Sequence, residues 1–301
     1  MTPDQIGVNH RFHLRRDRAM TDTIYRGYNR EELDLQYTNL TTEEAKADAA
    51  ALQEHAARNV AELNPERGVS YAGGGAQVFD IYRAGKGAPA MIYISGGQWQ
   101  NGGPGKFCSW ADSVVARGVT FIDGGFPQIP DARLPEIVDS IVILIRHIRA
   151  NGEKLGIDPA NILVTGHSSG AHLAAMALVR MANADDLEGI SGCYLMSGHY
   201  DVRPAMLCYR KEYLQLSVAE TIAMSPLLNL VNPLPPTMVA IGGGETDEML
   251  RQSSSFAESL AAIGPAELRG VPDANHFSVA DDLATEGTPS WNFVGERLGL
   301  G

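Results

Sequence analysis

Residues 162–171, Ile-Leu-Val-Thr-Gly-His-Ser-Ser-Gly-Ala, constrain the fold of this chain more than any other stretch. Four apolar or β-branched residues predict a short buried strand, residues 166–170 a tight turn with Ser168 at its apex, and residues 171–180 a helix. A serine in such a turn has a strained backbone, and strand and helix pass closely on either side of it only where glycine removes a Cβ. The hydroxyl is thereby held at the carboxyl end of a strand and the amino terminus of a helix, whose amides and dipole favour developing negative charge. Ser168 is therefore a candidate nucleophile.

The rest of the chain reads as the sheet and helices that such a turn needs. Residues 77–82 alternate as an antiparallel edge strand. Residues 90–94, 119–122, 193–196 and 238–241 read as short strands, and a last strand is expected over 267–271. Leu134, Ile137, Val138, Ile141, Val142, Ile145 and Ile148 recur at helical spacing, which predicts a helix over residues 134–150 with one broad apolar face. A second helix is expected over residues 248–263. Strands alternating with helices of this length imply an α/β domain, a mostly parallel central sheet with helices on both faces. One domain is expected over residues 1–301, with residues 1–65 as an N-terminal helical and aromatic extension. There, Tyr25, Tyr28 and Tyr37 predict packing over the domain near the site, and a capping box at Thr41 and Glu44 opens a helix over 42–63. Residues 198–236 contain no strand pattern and read as a small helical lid.

Composition narrows the function classes. A chain of 301 residues that is 44% hydrophobic can bury one substantial core. A net charge of -12 without a Lys/Arg cluster argues against nucleic acid, and no apolar run approaches the length of a membrane span or a signal peptide. Cys108, Cys193 and Cys208 are odd in number and lack metal spacing, which suits a reducing, cytoplasmic location and leaves no metal site to expect. The expected partner is a small-molecule amide or ester, with no nucleic acid and no membrane; a homodimer is compatible with the sequence.

A serine hydroxyl is a weak nucleophile near neutral pH and needs a histidine base held by an acid. With the serine on such an elbow, the acid and then the histidine follow on loops after later strands. His276 has that order and setting. His167 and His172 flank the serine too closely to reach back and are expected to bond locally, while His199 precedes any acid loop. Glu245, Asp247 and Glu248 follow the strand at 238–241. Glu245 ends the glycine turn and is favoured; Asp247 is the alternative, because acidic residues also suit the first turn of a helix. The turn Ser95-Gly96-Gly97-Gln98 at another strand end, with the amide of Ser169, supplies candidate donors for an oxyanion.

Taken together, these residues resemble the kynurenine formamidase (arylformamidase) branch of the α/β-hydrolases. The resemblance runs through Tyr28-Asn29-Arg30-Glu31-Glu32-Leu33 with Gln36-Tyr37, the loop from Gly96 to Trp99, and the serine turn with Ala171-His172-Leu173. It continues through Ser197-Gly198-His199-Tyr200-Asp201-Val202-Arg203-Pro204, Ser225-Pro226, Arg251-Gln252-Ser253 and His276-Phe277. It implies an α/β-hydrolase fold and no cofactor. It also implies a catalytic acid at Glu245, through the Arg-Gln-Ser signature, and an aromatic amine leaving group with Trp99 and Tyr200 as stacking walls, core positions being the alternative for both. The family's loop typically begins His-Gly-Gly-Tyr-Trp, so Ser95 and Gln98 depart from it and imply a smaller, more polar pocket there. The expected reaction is hydrolysis of an N-formyl or small acyl amide through an acyl-enzyme on Ser168. A carboxylesterase on small acyl or aryl esters is the alternative, and a non-catalytic binding protein a more distant one.

Overall fold

The structure is a computed structural model that describes residues 22–300, so expectations for residues 1–21 lie outside the described residues. The strands are β1 (Glu66–Ser70), β2 (Val78–Tyr82), β3 (Ala88–Ile94), β4 (Thr120–Gly124), β5 (Ile157–His167), β6 (Ile190–Met196), β7 (Thr237–Gly242) and β8 (Ala266–Val271). They form one sheet in the order β1-β2-β4-β3-β5-β6-β7-β8. β1 and β2 are antiparallel to their neighbours; every pairing from β4 to β8 is parallel.

The helices are α1 (Arg30–Gln36), α2 (Glu43–Leu63), α3 (Ala111–Ala116), α4 (Leu134–Ala150), α5 (Gly152–Leu155), α6 (Ser169–Asn183), α7 (Lys211–Leu214), α8 (Val218–Ala223), α9 (Asp247–Ala261), α10 (Asp281–Ala284) and α11 (Pro289–Leu298). Alternation along β3 divides the core in two. Ala90, Ile92 and Ile94 join α4, α6 and α9 in one cluster, while Met91 and Tyr93 join α3 and α11 in the other. Each fully buried Leu, Ile, Val or Phe stabilises the fold by roughly 1.5–3 kcal/mol. A strand flanked by both clusters has no polar face, which is why β5 reads as a continuous apolar run before the serine.

The parallel α/β architecture agrees with the sequence, and several local expectations need correction. The strand expected at 77–82 is antiparallel but not at the edge, because β1 pairs outside it. β1 has four exposed residues, Gly68 among them, so it has no hydrophobic alternation to read. Thr42, not Thr41, caps α2 by accepting the Ala45 amide at 3.1 Å. α11 was not anticipated, although Thr288 as cap and Pro289 in the first turn mark its start; its Phe293, Val294 and Leu298 complete the second cluster. Between β6 and β7 the chain forms only short helical turns, among them α7 and α8.

Candidate active site

The backbone of Ser168 has φ 57° and ψ -126°, between the end of β5 and the start of α6. Its amide donates to the Met196 carbonyl at 2.8 Å, pinning the turn to the end of β6. The glycines are required sterically. A Cβ on Gly166 would lie 2.6 Å from the Gly170 oxygen, and one on Gly170 only 2.0 Å from the Ile94 oxygen. Such a strained residue persists only where the surroundings hold it, as β3 and β6 do here.

His276 lies in the loop after β8, and its Nε2 is 2.9 Å from Ser168 Oγ. Its Nδ1 is 2.7 Å from Glu245 Oε2. The loops carrying Glu245 and His276 are joined directly, since the Gly244 amide donates to the Ala274 carbonyl at 2.9 Å. The other Glu245 oxygen accepts from the Ser197 hydroxyl and from the Gly242 amide. Burial alone would push the Glu245 carboxyl up, but the charge and hydrogen bond of His276, with the bonds from Ser197 and Gly242, hold it below the ordinary carboxylate range. Asp247 instead begins α9 and is exposed, and Glu248 is buried in an ion pair with Arg251 at 2.7 Å.

The loop from Ser95 to Trp99 passes against the serine. A Cβ on Gly96 would touch Ser168 Cβ at 2.9 Å, and one on Gly97, at φ +121°, would strike the Asn101 backbone. The amides of Gly96, Gly97, Gln98 and Ser169 donate to no acceptor among the described residues. Gln98 and Trp99 both have positive φ, and the Trp99 amide bonds Ser169 Oγ at 3.2 Å. The two residues that depart from the family's loop sit differently. Ser95 is buried and accepts the Gly103 amide at 2.7 Å, while the Gln98 side chain is exposed.

Trp99 and Tyr200 present no exposed surface. Tyr200 stacks on Phe256 of α9 at 4.2 Å and is core rather than a wall, because α9 covers that side of the loop after β6. Trp99 Nε1 donates to His172 Nδ1 at 3.1 Å, and the His172 ring in turn donates to the Met224 carbonyl. His167 donates to the His276 carbonyl at 2.7 Å. Burial pushes both imidazoles down to about 4, so they are neutral supports, as local bonding of these histidines requires.

Sequence reasoning missed several supporting residues. Ser197 follows β6 directly, and only its place in the Ser-Gly-x-Tyr-Asp run marked it. Gln252 accepts the amides of Tyr200 and Asp201 and donates to Tyr37 and Glu248, which gives the Arg-Gln-Ser run a physical role. Among the described residues no group of three His, Cys, Asp or Glu is placed to hold a metal ion, and no helix is long and apolar enough to cross a membrane.

The arrangement offers a nucleophile, a base oriented by a buried carboxylate, and unpaired amides beside them, a set suited to acyl transfer. The kynurenine formamidase of Danio rerio is 24% identical over 286 residues, covering 87% of this chain and 94% of its own. Esterase LipC of Mycobacterium tuberculosis is 26% identical over 250 residues, covering 73% and 61%. A solved protein of Silicibacter sp. tm1040, described provisionally as a thioesterase, superposes with a TM-score of 0.75 at 23% identity, covering 88% of this chain and 98% of that one. The resemblance to formamidases is thus supported along most of the chain, and a family profile for the alpha/beta hydrolase fold matches residues 91–279. On that match, and with the parallel sheet and serine turn described above, the chain belongs to the alpha/beta hydrolase fold family.

Proposed function

We propose that this hydrolase cleaves an N-formyl or other small acyl amide through a covalent acyl-serine intermediate. The observation that carries the reading is the unbroken hydrogen-bonded line Ser168–His276–Glu245. His276 takes the Ser168 proton on Nε2 as the oxygen attacks the carbonyl carbon, and Glu245 keeps the other ring proton on Nδ1 and stabilises the imidazolium. The free amides of Gly97, Gln98 and Ser169 receive the oxyanion, Gly96 allowing the close approach of the loop. His276 then protonates the leaving amine, and water releases the acyl group by the reverse route.

Ser168 is 7% and His276 4% exposed, so the reacting atoms sit in a recess with little contact with solvent. The short helical turns of residues 198–236 are the lid in this reading. The three cysteines are buried and unpaired, which supports a cytoplasmic location. Formamidases among the relatives favour an aryl formamide, and the esterase relatives favour a second reading, cleavage of small acyl or aryl esters by the same residues.

The experiment is kcat/KM for N-formylkynurenine beside phenyl acetate with purified protein. A value above about 10⁴ M⁻¹s⁻¹ for the formamide supports the amide reading. Cleavage of the ester alone transfers the assignment to the esterase reading.

A further inference from the structure

The nucleophile and most of the free amides beside it are carried by different elements, and one histidine ties those elements together. His172 lies one turn into α6 from Ser168, its amide donating to the Ser168 carbonyl at 3.2 Å. Its ring is fully buried and edge-on to Trp99, with centroids 5.3 Å apart and planes at 88°. Nδ1 accepts the Trp99 indole N–H at 3.1 Å, and Nε2 lies 2.8 Å from the Met224 carbonyl at the end of α8. A carbonyl only accepts and an indole only donates, so Nε2 carries the ring proton and Nδ1 the lone pair. The other tautomer would set two N–H groups face to face and leave the Met224 carbonyl unpaired.

Trp99 needs such a partner because its turn does not fix its own place. Gly97, Gln98 and Trp99 lie at φ 121°, 59° and 62°, and two of the three carry side chains that rarely adopt such angles. The Gly97 carbonyl accepts the Gln100 and Asn101 amides at 3.0 and 2.9 Å, which closes the turn from within without setting it against Ser168. Bonds from Trp99 do that. Its carbonyl accepts the Ile129 amide at 3.0 Å, its amide donates to Ser169 Oγ at 3.2 Å, and its indole donates to His172. The last two end on α6, the helix that Ser168 opens, so the helix itself registers the turn to the serine.

We propose that His172 is a positioning residue of the reaction: through the Trp99 indole it holds the amides of Gly97 and Gln98 where the oxyanion of the Ser168 adduct forms. The inference rests on the hydrolase reading above. A histidine that merely filled the space between α6 and α8 would affect melting and leave the transition state of the folded enzyme untouched.

The test compares two substitutions that each keep one half of the ring's bonding. Asparagine places an oxygen near the position of Nδ1, and glutamine an amide near that of Nε2. On whichever of N-formylkynurenine and phenyl acetate is cleaved, His172→Gln is expected to lower kcat by about 30-fold with KM within about threefold. His172→Asn, which keeps the acceptor for Trp99, is expected to stay within about fivefold of the wild type. Trifluoroacetophenone should lose affinity in step with kcat, because its carbonyl carbon takes Ser168 Oγ, the serine proton passes to His276 and the ketone oxygen becomes the anion. Equal kcat and inhibition in His172→Gln and the wild type overturn the proposal, as does a change in KM alone or an equal loss in both variants. Turnover of the ester alone with the expected ranking sustains it while ending the formamide reading. Activity that survives Ser168→Ala ends the hydrolase reading and this inference with it. Hydrogen exchange at the three indole N–H groups of the wild type is independent of any variant's folding. Bound trifluoroacetophenone should slow exchange at Trp99 by about tenfold relative to Trp110 and Trp291, since an anion held by the turn stabilises the bond that holds the turn. Unchanged exchange at Trp99 overturns the proposal.

Discussion

The side chain of Asn275 donates to Asp48 Oδ2 at 2.6 Å, tying helix α2 to the residue directly before His276. The same Asn275 accepts the Phe277 and Ser278 amides through Oδ1, so its side chain organises the loop on both sides. Helix α2 thereby supports the loop of His276 from outside the sheet. Asn275→Ala is expected to lower kcat by about 10- to 100-fold with a smaller change in KM, because ring placement matters most in the transition state. Steady-state kinetics on the preferred substrate check this; a pure KM effect would place Asn275 in substrate binding instead.

Ser168→Ala should fold normally, since the small side chain keeps the turn's glycines and its amide bond to Met196. Turnover should fall by roughly four or more orders of magnitude. Activity within tenfold of wild type, alongside an unchanged melting curve, would exclude an acyl-serine route.

Glu245→Gln should reduce kcat by about 10³–10⁴-fold, the effect of losing the charge that fixes the histidine tautomer. Asp247→Asn, at the exposed start of α9, should stay within a few-fold. The reverse ranking would move the acid to Asp247.

Asp123, on β4, is fully buried, and burial raises its carboxyl from the ordinary range to about 7. One oxygen accepts the Gly105 amide at 2.7 Å and the other has no partner. A carboxyl raised in the folded state makes stability greatest below its unfolded value near 3.8 and lower as pH climbs toward 7, with no further loss above that. Asp123→Asn should therefore stabilise the protein by an amount on the order of 2–4 kcal/mol more at pH 8 than at pH 4. Denaturant unfolding at the two values measures the difference, and an equal effect at both would show that Asp123 stays in one protonation state.

What the sequence by itself determined lies within a few residues along the chain. The serine turn is legible because glycine and the apolar run before it act locally, and α4 because its apolar face repeats every turn. The order of serine, acid and histidine could be read because each lies just past a strand. The residues around the glycine turn left Glu245 and Asp247 both open. The tertiary structure separated them when β7 paired with β8 and set the Gly244 amide on Ala274, turning one carboxylate inward beside His276 and leaving the other on α9. β1 escaped because it has no apolar face of its own, and wall and core stayed open for Tyr200 because only the packing of α9 gives it Phe256 as a neighbour. The burial of Arg210 and His199 against the rings of Tyr37 and Trp99 had no local signature at all. It exists because the segment after β6, the loop from Ser95 to Trp99 and Tyr37, distant in the chain, pack against one another, and burial is a property of that packing rather than of any stretch of sequence.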